Sequence, residues 1–407
     1  SEEEVRGLRF KCNNFLQSWE MYQRYQNLGR ESYFMGVKNT EGEIVAAGLM
    51  LARPWKFGLK VFRVPGGWLM DYDGLFERPT SSNSPVRSHR TMSTAPLRAS
   101  NSPRSSSQKA PSLGVLEFIT LKAKEFVKKK GGIALEIAPN IVSQPRDAHN
   151  EIVEGRDNLG VKRELVRLGY KYLGEYEQVK WTFVKDLESP ESAGLSGSAT
   201  KERNADLEEM FMAFRTDHRQ RIRRAEREKV RVRELGNGEL GILKQIAAEA
   251  GERHGFRDPE MEYYRSMKEA FGEKVKFIVA EVPAERLPET EREGLGSGVE
   301  YVPLAAAMFV IDDKEIVYLY SGSVRKLQKY GGAHLMQWKM IQEAVEKGCE
   351  KYNFYGVRPV EGDGVYNFKL GFRGKVEELL GTFILPIGVM GKMYAARLPV
   401  REYGEVK

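Results

Sequence analysis

The sequence predicts an α/β protein of two related halves, each a mixed sheet with helices packed on it. Three observations carry this. The chain has 407 residues, enough for two or three domains of ordinary size. Its 41% hydrophobic and 30% charged residues are the profile of a soluble globular protein. The same succession of strand, strand, amphipathic helix and strand occurs twice along it.

In the first half, "IVAAGLML" (44–51) and "KVFRVPGGWLMDYD" (60–73) are short, largely apolar runs of strand length. They precede a helix over 113–132, in which Leu116, Ile119, Ala123, Phe126 and Val127 keep helical spacing. The strand "IALEIAP" follows. In the second half, "PLAAAMFV" (303–310) and "EIVYLYSGS" (315–323) precede a helix over 331–348 with Leu335, Met336, Met340, Ile341 and Ala344 on one face. The strand "CEKYNFYGV" closes the repeat. Residues 78–112 are rich in Ser, Pro and Arg and poor in apolar residues, so they read as a disordered insertion. Residues 188–204 read as a linker or long loop and 282–303 as a loop. The expected division is 1–190, 191–384, and a segment 385–407 that packs back on the first domain.

The net charge is +7, and its distribution matters more than its size. Residues 215–233, "RTDHRQRIRRAEREKVRVR", hold nine basic residues against three acidic, and 78–112 hold six against none. Such segments suit a polyanionic partner: nucleic acid, a nucleotide or an anionic membrane surface. Arg219, Arg223 and Arg227 recur every four residues on one helix face, with Arg221 and Arg224 off that row. Guanidinium groups in such an array suit phosphates, because each contacts two oxygens. A solvated charged face is the plainer alternative, though it would mix signs more evenly. Cys12 and Cys349 make neither a disulfide framework nor a thiolate metal site, and none of the five histidines stands at metal-ligand spacing from another. A reducing, cytoplasmic setting is expected, with a peripheral place at the inner membrane face as its variant.

Several short motifs bear on chemistry. "QKYGGA" (328–333) fits the Q-x-x-G-x-A turn of GNAT-type acetyltransferases, where N–H groups at a helix start hold a pyrophosphate. A glycine turn that merely opens a helix accounts for it too. In "GERHGFRDPEMEYYRSM" (251–267), Asp258 is a plausible N-cap for a helix from about Pro259, with Arg257 and Tyr263 beside the turn. Alternation puts Tyr318 and Tyr320 on one strand face, as core or as cleft lining. In "DGVYNFKLGFRGKVEELLGTFILPI" (363–387), Tyr366 and Phe368 lead into a lone Lys369, with Gly371 and Gly374 after it: a surface lysine on a loop, or an active-site cation. No nucleophile elbow, Cys–His pair, P-loop or dinucleotide fingerprint occurs. An enzyme of this kind acts on an already activated substrate.

Together "FLQSWEMYQRY", "TDHRQRIRRAEREKVRVREL", "ERHGFRDPEMEYY", "VYLYSGS", "NFYGV" and "GVYNFKLGFRGKVEELLGTFILPI" resemble the FemABX family of nonribosomal peptidyl transferases. The resemblance covers nearly the whole chain outside 78–112. It implies two GNAT-like domains, which makes the "QKYGGA" turn a relic of the fold. It implies aminoacyl transfer from aminoacyl-tRNA to the side-chain amine of a peptidoglycan precursor's stem peptide, either a UDP-linked muramoyl pentapeptide or its lipid-linked form. The ester is already activated, so no protein nucleophile, metal or cofactor is needed. By this resemblance Lys369 stabilises the developing oxyanion and Phe368 shapes the site. Tyr263 and Tyr320 contact the acceptor, with Tyr366 and Arg257 as further substrate contacts. Arg219, Arg221, Arg223 and Arg224 are assigned to the tRNA on charge alone. One departure stands out: Ala138 occupies the place of a usual Asp, with Glu136 on the same face; Asp71, in the loop "PGGWLMDYD", is only a weak candidate. A CoA-dependent N-acyltransferase, and a non-catalytic nucleic-acid or membrane-surface protein on the same fold, are the competing expectations.

Overall fold

The computed structural model describes residues 1–72, 112–187, 199–255, 258–292, 296, 298–312 and 314–400. Two mixed sheets carry the chain. Across the first, the strands run Ser32–Lys38, Ile44–Pro54, Lys60–Gly66, Gly132–Pro139, Thr382–Pro386 and Lys171–Gly174, with Leu69–Met70 added beside the second. Across the second, they run Val142–Gln144, Lys375–Leu379, Trp181–Asp186, Lys351–Gly356, Glu315–Ser323, Tyr301–Asp312, Val275–Pro283 and Arg231–Glu234.

The repeat seen in the sequence is visible in the pairing. In each sheet one pair is parallel: Lys60–Gly66 with Gly132–Pro139, and Glu315–Ser323 with Lys351–Gly356. Parallel neighbours need a crossover, and an amphipathic helix supplies it each time. Helix Ser112–Lys129 buries Leu116, Ile119, Ala123 and Val127 against Phe62, Leu135 and Phe383 of the first sheet. Helix Gly332–Glu346 buries Leu335, Met336, Met340, Ile341 and Ala344 in the core of the second.

The two sheets also exchange strands. Trp181–Asp186, from the first half of the chain, lies between two strands of the second sheet. Thr382–Pro386, from near the far end, lies between two strands of the first. The helix Gly388–Ala395 then packs on the first sheet, with Tyr394 and Ala395 buried against Ile133 and Ile384. A single cut in the sequence therefore does not separate the sheets.

Local readings of the sequence change at four places. The insertion expected at 78–112 lies outside the described residues, apart from Ser112, which opens the crossover helix. The expected linker 188–204 contains the start of helix Ala199–Ala213. The expected loop 282–303 holds a short helix at Glu289–Arg292. Helix Met261–Phe271 begins after Glu260, and Asp258 does not cap it; its carboxylate accepts from Lys244 (2.5 Å) and from the Tyr264 hydroxyl (2.6 Å).

Gly331 opens the second crossover helix in the left-handed region, at φ 74°, and a Cβ there would collide with the Arg221 carbonyl. Gly331→Ala should therefore lower stability by roughly 2–3 kcal/mol in urea unfolding. Gly241, within helix Leu240–His254, has open space at its Cβ position. Gly241→Ala should be neutral or stabilising by up to about 1 kcal/mol in the same measurement.

Candidate active site at the seam of the two sheets

Lys369 lies on a short helix, Gly364–Leu370, and not on a surface loop. The helix starts where the Asp363 carboxylate accepts from the Tyr366 N–H at 2.8 Å. Its far end is tied down from the segment around helix Thr216–Arg227. The Arg215 N–H donates to Gly371 O at 2.9 Å, and His218 Nε2 donates to Phe368 O at 2.8 Å. The glycines after the lysine answer to space: a Cβ on Gly371 would strike the His218 ring, and one on Gly374 the Val184 carbonyl.

Lys369 is only 4% exposed. Its ammonium donates to Tyr355 O (3.3 Å) and to Gly356 O. Burial pulls its pKa down to about 7, with the Asp363 carboxylate opposing the shift. An ammonium has three N–H donors, so one remains uncommitted after these two bonds.

Tyr355, Tyr320 and Tyr263 stand half-buried on one apolar cluster that also takes Phe15, Met21 and Leu49 from the first half. Tyr263 and Tyr320 meet edge to face at 5.4 Å. Their meeting depends on an irregularity in the strand Glu315–Ser323. The register shifts opposite it, between Ala307 and Phe309. Tyr318 consequently packs on the core behind the sheet, while Tyr320 turns to the face that carries Tyr263. The shared face expected from alternation is broken by that bulge. Arg24, from helix Trp19–Asn27, lies 4.5 Å from the centre of the Tyr263 ring. Burial raises the Tyr263 hydroxyl well above its ordinary range, so it stays a neutral donor and acceptor.

The remaining candidates fall elsewhere. Phe368 packs between His334 (5.0 Å) and Phe372 (5.4 Å), at the C-terminal end of the lysine helix. Tyr366 is buried in the second core, with its hydroxyl donating to Ala148 O at 2.5 Å, apart from the tyrosine group. Arg257 lies outside the described residues. Glu136 is engaged by Arg63 (2.7 Å) and the Tyr394 hydroxyl (3.2 Å), so its carboxylate is structural; Asp71 is exposed.

Helix Thr216–Arg227 turns His218, Ile222 and Ala225 inward. Arg221, Arg223, Arg224 and Arg227 are exposed and Arg219 half-buried. Arg219 donates to Met212 O (2.8 Å) and Arg221 to Gln328 O (3.5 Å), while Arg223 lies over the Phe211 ring and Arg224 over Tyr330. The array is thus an exposed cationic face backed by an apolar one. The Gln328–Ala333 turn packs against this helix, through Gly331 at the Arg221 carbonyl. Sequence reasoning passed over Arg24, Tyr355, His218 and His334. The i, i+4, i+7 pattern of His218, Ile222 and Ala225 was the available signal for His218. His334 and His218 meet at 4.6 Å, and burial lowers both pKa values, His334 well below its ordinary value. Both are therefore neutral rings around neutral pH.

The FemAB family profile matches residues 9–75, 93–295 and 284–396. Aminoacyltransferase FemA of Staphylococcus epidermidis is 22% identical over 438 residues, covering 93% of this chain and 92% of that one. Aminoacyltransferase FemA of Staphylococcus aureus is 21% identical over 434 residues, covering 92% and 91%. The crystal structure of FemX superposes with a TM-score of 0.69 at 15% identity, covering 97% of both chains, a likeness of fold.

Burial of Lys369 leaves a signature in stability. Its folded pKa of about 7 lies below the ordinary 10.5, so the unfolded chain holds the proton more tightly. The destabilisation is full below about pH 7 and fades as pH rises toward 10.5. The stability of wild type relative to Lys369→Met should therefore increase between pH 7 and 10 in urea titrations. A pH-independent difference would show that the ammonium is not desolvated.

Proposed function

The chain belongs to the FemAB family, and from that premise we propose that this aminoacyltransferase moves an amino acid from aminoacyl-tRNA to the stem-peptide amine of a peptidoglycan precursor. The acceptor is the UDP-linked muramoyl pentapeptide or its lipid-linked form, and the product is an interpeptide bridge. The observation that carries this reading is Lys369: a buried ammonium, held by two carbonyls, with a third N–H uncommitted, beside half-buried tyrosines.

The acceptor amine attacks the ester carbonyl carbon. The C–N bond forms, the C–O bond to the tRNA ribose breaks, and the proton lost by the amine ends on the leaving ribose oxygen. Negative charge builds on the carbonyl oxygen in between. A cation fixed by Tyr355 O and Gly356 O meets that charge without reorganising, so its effect falls on the transition state more than on the bound ester. Phe368 sets the apolar wall at the end of the lysine helix. Tyr263 and Tyr320 present hydroxyls to the acceptor from the other side, and Arg257 is a further substrate contact in this reading; Tyr366, buried with its hydroxyl committed to Ala148 O, is not. Arg219, Arg221, Arg223 and Arg224 hold the tRNA phosphates, with Phe211 and Tyr330 supporting two of them from behind. A CoA-dependent acyl transfer through the Gln328–Ala333 turn has less support, because the Arg221 carbonyl and Ala225 of the arginine helix pack directly against Gly331 of that turn.

A transfer assay with a mixture of charged tRNAs and both acceptors tests the reaction. Lys369→Met should lower kcat by about 10²–10³-fold with little change in KM, the cost of one oxyanion donor. Normal transfer by that variant would sink the role given to the lysine. Replacing Arg221, Arg223 and Arg224 with Gln should weaken tRNA binding and flatten its log–log salt dependence by about 2–3, near one per lost phosphate contact. An unchanged salt slope would remove the arginine face from the tRNA site.

A further inference from the structure

Arg24 is the only buried arginine among the described residues, at 4% exposed. The buried glutamates of this chain have cations: Glu20 meets Arg6 and Lys274, Glu136 meets Arg63, Glu164 meets Arg167, Glu281 meets Arg231 and Arg233, and Glu378 meets Arg146 and Lys180. Arg24 has no such counterpart among the described residues. Its Nε donates to Ser266 Oγ at 2.9 Å, and Nη1 reaches Met21 Sδ at 4.0 Å. The rings of Tyr263 and Tyr25 lie at 4.5 and 5.5 Å. A guanidinium has five N–H donors in a planar fork, so most of the Nη edge has no acceptor. Nη2, which has no hydrogen-bond partner, is not among the sealed polar atoms, so it keeps some contact with solvent.

An unpaired buried guanidinium carries a large desolvation cost. Ring faces offset part of it. An oxyanion offsets more, because two oxygens of a phosphate or carboxylate match the fork with two hydrogen bonds. The position is also telling. Arg24 comes from the first half of the chain, while Ser266 and Tyr263 come from the second, and Tyr263 belongs to the half-buried tyrosine group beside the carbonyl partners of Lys369. Arg24 thus packs on one tyrosine of the group, while the backbone carbonyl of another, Tyr355, holds Lys369.

We propose that Arg24 is the anion receptor of this cleft and binds a phosphate or carboxylate of the acceptor, with Tyr263 and Ser266 holding the guanidinium in place. The assignment of the anion to the acceptor rests on the aminoacyl-transfer reading; the receptor itself does not. Binding then clamps the two halves across the seam and sets the acceptor between Arg24 and Lys369.

Calorimetric titration of the full chain with UDP-muramoyl pentapeptide, without tRNA or turnover, tests this. Arg24→Met should weaken binding by about 10–100-fold, and Arg24→Lys, which keeps the charge but not the fork, by less. The melting temperature of unliganded Arg24→Met should be unchanged or raised, because an unpaired buried charge is gone. A lower melting temperature with undiminished affinity would mean a purely structural arginine and overturn the proposal. Should Arg24→Met fail to fold, Arg24→Lys and the ligand series decide. Muramoyl pentapeptide without the nucleotide diphosphate separates the two anions. A loss confined to the UDP-linked ligand assigns the diphosphate, and an equal loss for both assigns a peptide carboxylate. No loss for either overturns the receptor. Transfer activity with no Arg24 effect on acceptor binding refutes the receptor and leaves the reaction standing. Arg24-dependent binding of inorganic pyrophosphate, with no binding of either acceptor, supports the receptor and refutes the acceptor reading.

Discussion

Each sheet is completed by a strand from the other half of the chain, and most features of the molecule follow from that exchange. Trp181–Asp186 hydrogen-bonds on both sides inside the second sheet, and Thr382–Pro386 does so inside the first. Removing either would open two rows of backbone donors and acceptors in the middle of a sheet. The side chains are committed as well: Phe183, Val184, Phe383 and Ile384 are fully buried. Neither half can therefore finish its core alone. The lysine helix Gly364–Leu370 is threaded between these constraints, because the strand after it enters the second sheet and the next strand enters the first.

The exchange also makes the seam rigid enough to hold charges away from water. Phe15, Met21 and Leu49 share a core with Leu243, Tyr264 and Phe277, so the junction between halves is packed like an interior. Two cations are buried at or beside it, Lys369 and Arg24, and no carboxylate forms an ion pair with either among the described residues. Such groups oppose folding. The neighbouring His218 and His334, neutral because they are buried, add shape and one hydrogen bond to Phe368 O without adding charge.

The arginine helix serves two neighbours at once. Its inward face, His218, Ile222 and Ala225, fastens the lysine helix and fills the second core. Its backbone covers the glycine turn that opens the second crossover helix. The cationic side chains are left on the outside, where a solvated face and a phosphate-binding face look alike until a polyanion is offered.

Much of this was written locally in the sequence. Runs of strand length, helical spacing in Leu116–Val127 and Leu335–Ala344, and the arginine run all depend on residues a few positions apart, so pattern alone placed them. The stretch around Lys369 was legible as unusual, yet its burial was not, because the lysine is enclosed by Tyr355 and Gly356 from a neighbouring strand. The side that Tyr320 faces was decided by one irregular residue step, which flips every later side chain. The pairing of Arg24 with Tyr263 and Ser266 joins residues some 240 positions apart, and no periodicity reports on such a distance. The exchange of strands belongs to the same class. A strand's sequence states that it will pair and which face it buries, while the choice of neighbour is settled by where the rest of the chain leaves an open edge.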